Sequence, residues 1–144
     1  MSTVRSRGPI VIDTDVFSAD LLPRSRLAER YAPLVTGRPA VISFQTVAEL
    51  RYGAIRRHWG RTRMLTLEAK IQRVEVLHTG PELVLVYAQL HADCEAAGHA
   101  LAQKKHTADR WIAATAIRLG IPLVSNDRIF HGAPKLKLES LAPV

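Results

Sequence analysis

An α/β fold is predicted, with a five-stranded parallel sheet and helices on both faces. Short apolar runs alternate with longer segments of helical period, which is typical of parallel α/β proteins. The first and fourth runs are almost continuously apolar, as expected of strands covered on both faces, and the third alternates more and is expected nearer an edge. The strands are predicted at Ile10–Ile12, Ala40–Ser43, Val74–His78, Leu123–Ser125 and Lys137–Glu139.

Helices are expected between these strands, where apolar residues recur at helical spacing. Gly120, followed by Pro122, ends the last helix, since glycine is common just past a helix C-terminus. No repeat, low-complexity tract or long linker divides the 144 residues, so residues 1–144 are interpreted as one domain. The helices are predicted at Ser25–Val35, Gln45–Trp59, Thr62–Gln72, Pro81–Ala97 and Thr107–Leu119.

Composition argues against several classes of protein. No apolar stretch approaches the roughly 20 residues of a membrane span. The run that ends at Asp13 is also shorter than the about 7–15 apolar residues of a secretory signal. Cys94 is the single cysteine, so an internal disulfide is excluded and a small, partly buried side chain is expected there. We therefore expect a cytoplasmic protein without a membrane partner.

Four acidic residues are predicted to converge at one edge of the sheet. Asp13 ends the first strand, and Asp127 closely follows the fourth. Glu49 and Asp109 lie in the first turns of two helices, whose N-termini should lie at the carboxyl edge of the parallel strands. Converging carboxylates repel one another unless a cation neutralises them. The pattern therefore predicts a divalent-metal site.

Each of these residues also has a local interpretation. Asp13 would suit the N-cap of a short helix, and Thr46 with Glu49 has the spacing of a capping box. Asp109 would favour a helix N-terminus, with Thr107 as a plausible N-cap. Asp127 would suit a turn. Such roles explain single positions but not why all four fall at one edge, so a shared metal site is favoured.

Carboxylate oxygens are hard ligands and favour Mg²⁺ or Mn²⁺ over zinc. Asp13 and Asp109 are the expected direct ligands. Glu49 and Asp127 would complete the site through water or a second ion. Asp15 is a weaker fifth candidate that would either approach the metal or shape its loop.

The net charge of +7 is concentrated in an arginine-rich stretch that includes Arg51, Arg56 and Arg57. Arginine suits phosphate well, because its planar guanidinium binds two oxygens at once. The stretch therefore indicates a polyanion or an acidic protein as a partner. A solvated helix face remains the alternative, and charge alone does not distinguish these possibilities.

Four motifs extend through nearly the whole chain and can be compared with known families. They are residues 12–16 (IDTDV), 46–53 (TVAELRYG), 109–116 (DRWIAATA) and 123–130 (LVSNDRIF). Together they resemble the PIN-domain ribonucleases, and specifically the VapC-type toxins of bacterial toxin–antitoxin pairs. The third motif is the most specific. Asp15 departs from the family pattern, in which asparagine or serine is common at this position.

This resemblance implies a single PIN-like domain, dependence on Mg²⁺ or Mn²⁺, and endonucleolytic cleavage of RNA. It also implies a homodimer and a cognate antitoxin that inhibits by inserting a segment into the active groove. Arg51, Arg56 and Arg57 would then hold the RNA backbone. Thr14 and Asn126 are candidates for orienting water or phosphate.

Two other functions would each use part of this acidic pattern. A haloacid-dehalogenase-type phosphatase would use Asp13 as its nucleophile, but Phe17 occupies the position of an expected threonine or serine. That scheme also leaves Glu49 and Asp109 without a role. A signalling receiver domain would need an aspartate at the end of the third strand, where His78 is found. The metal-dependent nuclease is therefore the favoured interpretation.

Overall fold

The computed structural model describes residues 7–144, and five strands in this range form one sheet with the order β3-β2-β1-β4-β5. Every neighbouring pair of strands is parallel, which confirms the predicted α/β class. β3 lies at an edge, as its alternating pattern predicts. The single-domain interpretation stays a prediction, and residues 1–6 lie outside the described range. The strands are β1 (Ile10–Ile12), β2 (Ala40–Ser43), β3 (Glu75–Leu77), β4 (Leu123–Val124) and β5 (Leu138–Glu139).

The helices follow the predicted order, with one short addition, α1, directly after β1. They are α1 (Thr14–Ser18), α2 (Arg26–Val35), α3 (Phe44–Arg56), α4 (Arg61–Gln72), α5 (Pro81–Ala97) and α6 (Thr107–Leu119). Short 3₁₀ segments occur at Ala19–Leu21, Ala100–Ala102, Lys104–His106 and Arg128–Phe130. Within residues 7–144, none of the helices combines the length and the apolar character needed to cross a membrane.

Several predicted boundaries are wrong by one to three residues, and α3 shows why. Its predicted end at Trp59 is too late, because His58 adopts a positive φ of 54° that a continuing helix does not allow. Its predicted start at Gln45 is one residue too late. The Ser43 hydroxyl at the end of β2 caps the helix by accepting from Gln45 N at 3.1 Å, so the helix begins at Phe44.

Two of the cap roles considered for these residues are also wrong. Because Ser43 starts α3 early, Thr46 is already inside the helix and does not form a capping box with Glu49. Thr107 is the first residue of α6 rather than its N-cap, and its hydroxyl donates to the Lys104 carbonyl at 2.7 Å. The proposed cap at Asp13 is confirmed, since its Oδ1 accepts from Thr14 N at 2.7 Å and begins α1.

The core forms two clusters, one on each face of the sheet. Successive residues of β1 point to opposite faces: Val11 packs with α5 and α6, whereas Ile10 and Ile12 pack with the helices that precede β3. Each large aliphatic side chain buried in this way contributes roughly 1.5–3 kcal/mol. Helices therefore cover both faces, as predicted, and the end of β1 is held at the centre of the molecule.

Candidate metal centre

The candidate centre lies at the carboxyl ends of β1 and β4, where the strand order reverses. From β1 the chain moves outward to β2 and β3 on one side, and it returns to β4 and β5 on the other. Open α/β sheets bind ligands in the crevice at such a switch point. Asp13 directly follows β1, and its backbone N donates to Val124 O of β4 at 2.9 Å. Asp127 lies three residues beyond the end of β4.

Asp13 is the most buried carboxylate of this centre, with 5% of its surface exposed. Its Oδ1 accepts from Thr14 N at 2.7 Å and its Oδ2 accepts from the Ser125 hydroxyl at 2.6 Å. Burial is the main reason that the pKa of Asp13 is raised to about 8, and the charges of Asp15 and Asp109 raise it further against those two hydrogen bonds. An ionised Asp13 is therefore unfavourable here unless a cation compensates it.

Asp15 belongs to this centre more closely than its sequence pattern indicates. Its Oδ1 accepts from Val16 N at 2.7 Å, and its Oδ2 accepts from Asn126 N at 3.1 Å, which joins the loops after β1 and β4. Burial raises the pKa of Asp15, and the charge of Asp127 adds to this effect against the two backbone hydrogen bonds. Asp15 thus lies within electrostatic reach of two of the predicted site residues.

Asp109 and Asp127 approach from α6 and from the loop after β4. Asp109 lies in the first turn of α6, where burial raises its pKa, a hydrogen bond from His106 lowers it, and the charge of Asp127 raises it. Asp127 Oδ1 caps the following 3₁₀ segment by accepting from Ile129 N at 3.0 Å. Asp109 thus lies within electrostatic reach of both Asp13 and Asp127, and the convergence of the four predicted carboxylates on one ion stays a prediction.

Glu49 lies at the rim of the centre and is connected to it through Thr14. The Thr14 hydroxyl donates to Glu49 Oε1 at 2.6 Å and also contacts the Thr46 hydroxyl at 3.0 Å. Gln45 Nε2 donates to Glu49 Oε2 at 3.2 Å. Since Thr14 directly follows Asp13, these hydrogen bonds connect Glu49 to the residue next to the most buried carboxylate.

The structure does not place the predicted substrate-binding arginines beside the carboxylates. Arg51 forms an ion pair with Glu68 of α4, with its Nη2 and Nε at 2.8 and 3.1 Å from the carboxylate oxygens. Arg56 and Arg57 are exposed at the C-terminal end of α3. Arg56 is seven residues after Glu49 in this helix, which corresponds to about 10 Å along the axis, away from the carboxyl edge. Their binding role stays a prediction.

Asn126, also predicted to contact substrate, is engaged within the protein. Its side-chain Oδ1 accepts from the Tyr31 hydroxyl at 2.8 Å, while the same hydroxyl accepts from Leu141 N at 2.8 Å. Tyr31 is fully buried on α2 and ties the loop after β4 to the C-terminal segment. Asn126 therefore organises this loop through Tyr31 and through its backbone bond to Asp15.

Sequence reasoning missed three residues that arrange the carboxylates or their surroundings. Ser125 lies in the motif LVSNDRIF, but the sequence predicts only that it ends a strand. His106 lies three residues before Asp109, which is a spacing that places two side chains on one helical face. Tyr31 has no local signal, since its partner Asn126 is 95 residues away in sequence.

The donor set was tested for its fit to a metal ion. Within residues 7–144, no three Asp, Glu, His or Cys side chains are grouped closely enough to hold one ion among them. Mg²⁺ does not require such a cage, because it usually keeps several waters and binds one or two carboxylates directly. The buried carboxylate of Asp13, with Asp109 nearby, fits a hydrated hard cation of this kind. In the described part of the chain, no thiolate or pair of histidines lies at this centre, which disfavours zinc.

Comparison with known proteins agrees with this fold. Residues 10–136 match the family model of the PIN domain. No curated relative matches the chain in sequence. Three similar solved structures are VapBC2 from Rickettsia felis bound to a DNA fragment from their promoter, DNA-bound VapBC from Salmonella typhimurium, and VapBC-5 from Mycobacterium tuberculosis.

The three matches extend over nearly the full length of each chain. The Rickettsia structure has a TM-score of 0.75 at 22% identity and covers 92% of this chain and 98% of its own. The Salmonella structure has a TM-score of 0.69 at 27% identity, with coverages of 92% and 97%. The Mycobacterium structure has a TM-score of 0.63 at 25% identity, with coverages of 94% and 98%. Since the family model spans most of the sequence, the chain belongs to the PIN domain family.

Proposed function

We propose that this protein is a Mg²⁺- or Mn²⁺-dependent endoribonuclease that acts as the toxin of a toxin–antitoxin pair. The observation that carries the proposal is the buried carboxylate of Asp13, which lies within electrostatic reach of Asp15 and Asp109 at the switch point of the sheet. A phosphodiester is negatively charged and repels nucleophiles, so its hydrolysis suits a site that concentrates a divalent cation. Membership of the PIN domain family supports this choice.

The chain's own residues would divide the work as follows. Asp13 and Asp109 would hold the cation, and Asp127 and Asp15 would support it from nearby. Bound Mg²⁺ supplies a water of lowered pKa and neutralises charge that builds on the phosphate. Glu49 Oε1 accepts from Thr14, which leaves lone pairs on this carboxylate to receive a proton from an attacking water.

The substrate and partner assignments rest on charge and on the solved structures. With a net charge of +7, the protein attracts polyanions despite its acidic centre. Lys104 and Lys105 are exposed in the segment that leads into α6, so they lie at the carboxyl edge. Several similar structures are VapBC complexes, which supports an antitoxin partner. We propose that this partner covers the carboxyl edge. We also propose a homodimer, on the family resemblance.

The central experiment measures cleavage of RNA by the purified full chain. A fluorescently labelled RNA should be cut internally with Mg²⁺ or Mn²⁺, and EDTA should stop the reaction. Asp13→Asn should abolish cleavage while circular dichroism shows an unchanged fold. Glu82→Gln is the matched control, because Glu82 pairs with Arg118 at the far end of α6 and should leave activity intact. Metal-independent cleavage, or an active Asp13→Asn protein, would refute the proposal.

The toxin role needs a separate test in cells. Induced expression of the wild-type chain in bacteria should arrest growth, and expression of Asp13→Asn should not. Co-expression of the small protein encoded beside it should restore growth and form a complex that is stable through purification. Normal growth with the active enzyme present would refute the toxin role but leave the nuclease assignment in place.

No observation in the structure favours the phosphatase alternative. Both carboxylate oxygens of Asp13 already accept hydrogen bonds, from Thr14 N and from the Ser125 hydroxyl, and the side chain is buried. The phosphatase scheme also leaves Glu49 and Asp109 without a role. A phosphoryl group trapped on Asp13 would reverse this conclusion.

A further inference from the structure

His106 makes a direct contact with one of the predicted metal ligands. Its Nδ1 lies 2.8 Å from Asp109 Oδ2, and the two side chains are 20% and 26% exposed. The residues are three apart across the start of α6, so they lie on the same helical face. An ionised carboxylate can only accept hydrogen bonds, so Nδ1 carries the proton whenever Asp109 is charged.

The ring of His106 is not used to cap the helix. His106 is the N-cap residue of α6, but its side chain makes no hydrogen bond to the backbone of the first turn. Within residues 7–144, the contact with His106 is also the only side-chain hydrogen bond of the Asp109 carboxylate. Asp13 and Asp15 differ in this respect, since each is held by two donors. Asp109 thus depends on His106 for its orientation.

A buried arginine fixes the segment that carries His106. Arg110 Nη1 donates to the carbonyls of Leu101 and Gln103 at 2.6 and 2.8 Å, and its Nη2 donates to the Thr107 hydroxyl at 3.1 Å. His106 N in turn donates to the Gln103 carbonyl at 2.9 Å. Arg110, which is 3% exposed, therefore holds the turn on both sides of His106 with its guanidinium. The hydrogen bonds of Arg110 thus fix the loop that places His106 beside Asp109.

We propose that His106 is a positioning residue, whose Nδ1–H holds the Asp109 carboxylate in the orientation that binds the divalent cation. The inference rests on the proposed function for the role of Asp109. The terminal torsion of an aspartate is broad, so a carboxylate with a single donor swivels freely once that donor is lost. Partners that orient metal ligands in this way typically contribute 10- to 100-fold to metal affinity.

A matched pair of substitutions tests the role of this one nitrogen. In His106→Asn the amide nitrogen takes the place of Nδ1 and can still donate to Asp109. In His106→Gln the amide lies one carbon further out and cannot reach the same position. Calorimetric titration of the full-length variants with Mn²⁺ should show affinity reduced about 10- to 100-fold in His106→Gln and largely retained in His106→Asn. Unfolding midpoints in EDTA should agree for the two variants, which controls for folding.

A double-mutant cycle separates this inference from the proposed function. Asp109→Asn should weaken Mn²⁺ binding by itself, and adding His106→Gln should then cause no further loss, because the two residues act through one interaction. Wild-type affinity in His106→Gln, or equal losses in His106→Gln and His106→Asn, would overturn the inference while Asp109 remained a ligand. A wild-type protein that binds no Mn²⁺ would refute the proposed function, and the inference with it.

Discussion

Replacing Asp13 with asparagine should make the metal-free protein more stable at pH 8, although most substitutions of buried polar residues destabilise. Burial, with the charges of Asp15 and Asp109, raises the pKa of Asp13 from 3.8 to about 8 in the folded protein. In the unfolded chain these influences are absent. The native state therefore binds the Asp13 proton more tightly than the unfolded state does, and ionisation of this group favours unfolding.

The direction and size of the effect follow from this difference. A raised folded pKa contributes stability that is fully present below pH 3.8 and is lost as the pH rises through about 8. A difference of about four pKa units at 1.36 kcal/mol each gives an upper figure of about 5 kcal/mol. Local relaxation and water penetration reduce it, so we expect Asp13→Asn to gain about 2–5 kcal/mol at pH 8 in EDTA.

Asparagine is a suitable replacement because it keeps the contacts of Asp13 while removing the charge. Its amide oxygen can accept from Thr14 N, and its amide nitrogen can donate to Ser125 Oγ. Asp15 and Asp109 also have raised pKa values but remain in both proteins. The difference between the two unfolding curves therefore isolates the contribution of Asp13 and its couplings.

Urea unfolding at two pH values, with EDTA or with excess Mg²⁺, measures the effect. At about pH 4 the two proteins should differ little, and in EDTA the gain of Asp13→Asn should appear as the pH rises to 8. Excess Mg²⁺ should stabilise wild type through binding to the native state and should leave Asp13→Asn nearly unchanged. A variant that is destabilised equally at both pH values would refute the reasoning, as would a wild type that ignores Mg²⁺.

Three further predictions concern the groups around this carboxylate. Ser125→Ala removes a buried donor to Asp13 and should lower the free energy of unfolding by about 1–3 kcal/mol at pH 8, measured in urea, with weaker Mn²⁺ binding by calorimetry. Arg110→Lys loses the planar fork that braces the loop before α6 and should cost about 1–3 kcal/mol in the same assay. Lys104→Ala with Lys105→Ala should weaken RNA binding and flatten its dependence on salt, measured by fluorescence anisotropy with the inactive Asp13→Asn protein; an unchanged slope would contradict their placement at the RNA.

The sheet and its acidic edge were predictable because they depend on chain order. The ends of parallel strands and the starts of the following helices share one edge whatever the side-chain packing, so Asp13, Asp109 and Asp127 could be placed from the bounds of apolar runs. The sequence predicts only a weak role for Asp15 at the centre. Its position there depends on burial and on a hydrogen bond from Asn126 N, 111 residues away. Such a contact becomes visible only when two loops are folded together.

Charge patterning was a weaker guide, and the arginines of α3 show why. The density of charged residues along the sequence does not show which end of a helix, or which of its faces, carries the charge. Arg51 forms an ion pair with Glu68 on the neighbouring helix, and Arg56 lies two turns beyond Glu49. The short run of Lys104 and Lys105 is less dense, but it precedes α6 and therefore lies at the carboxyl edge. Position relative to a strand end is the better predictor of proximity to the centre.

Capping and metal binding were treated as competing interpretations of the same acidic residues, yet Asp13 and Asp127 adopt cap geometry within the candidate centre. Asp13 Oδ1 begins α1 while Oδ2 receives the Ser125 hydroxyl, and Asp127 Oδ1 begins the next 3₁₀ segment. The two roles coincide because a helix that starts at a strand end has free N–H groups beside the crevice, and these hold carboxylates at the place where a ligand binds. An alanine substitution would remove cap and charge together. Asparagine, which caps almost as well as aspartate, removes the charge alone and so separates the two roles in a single measurement.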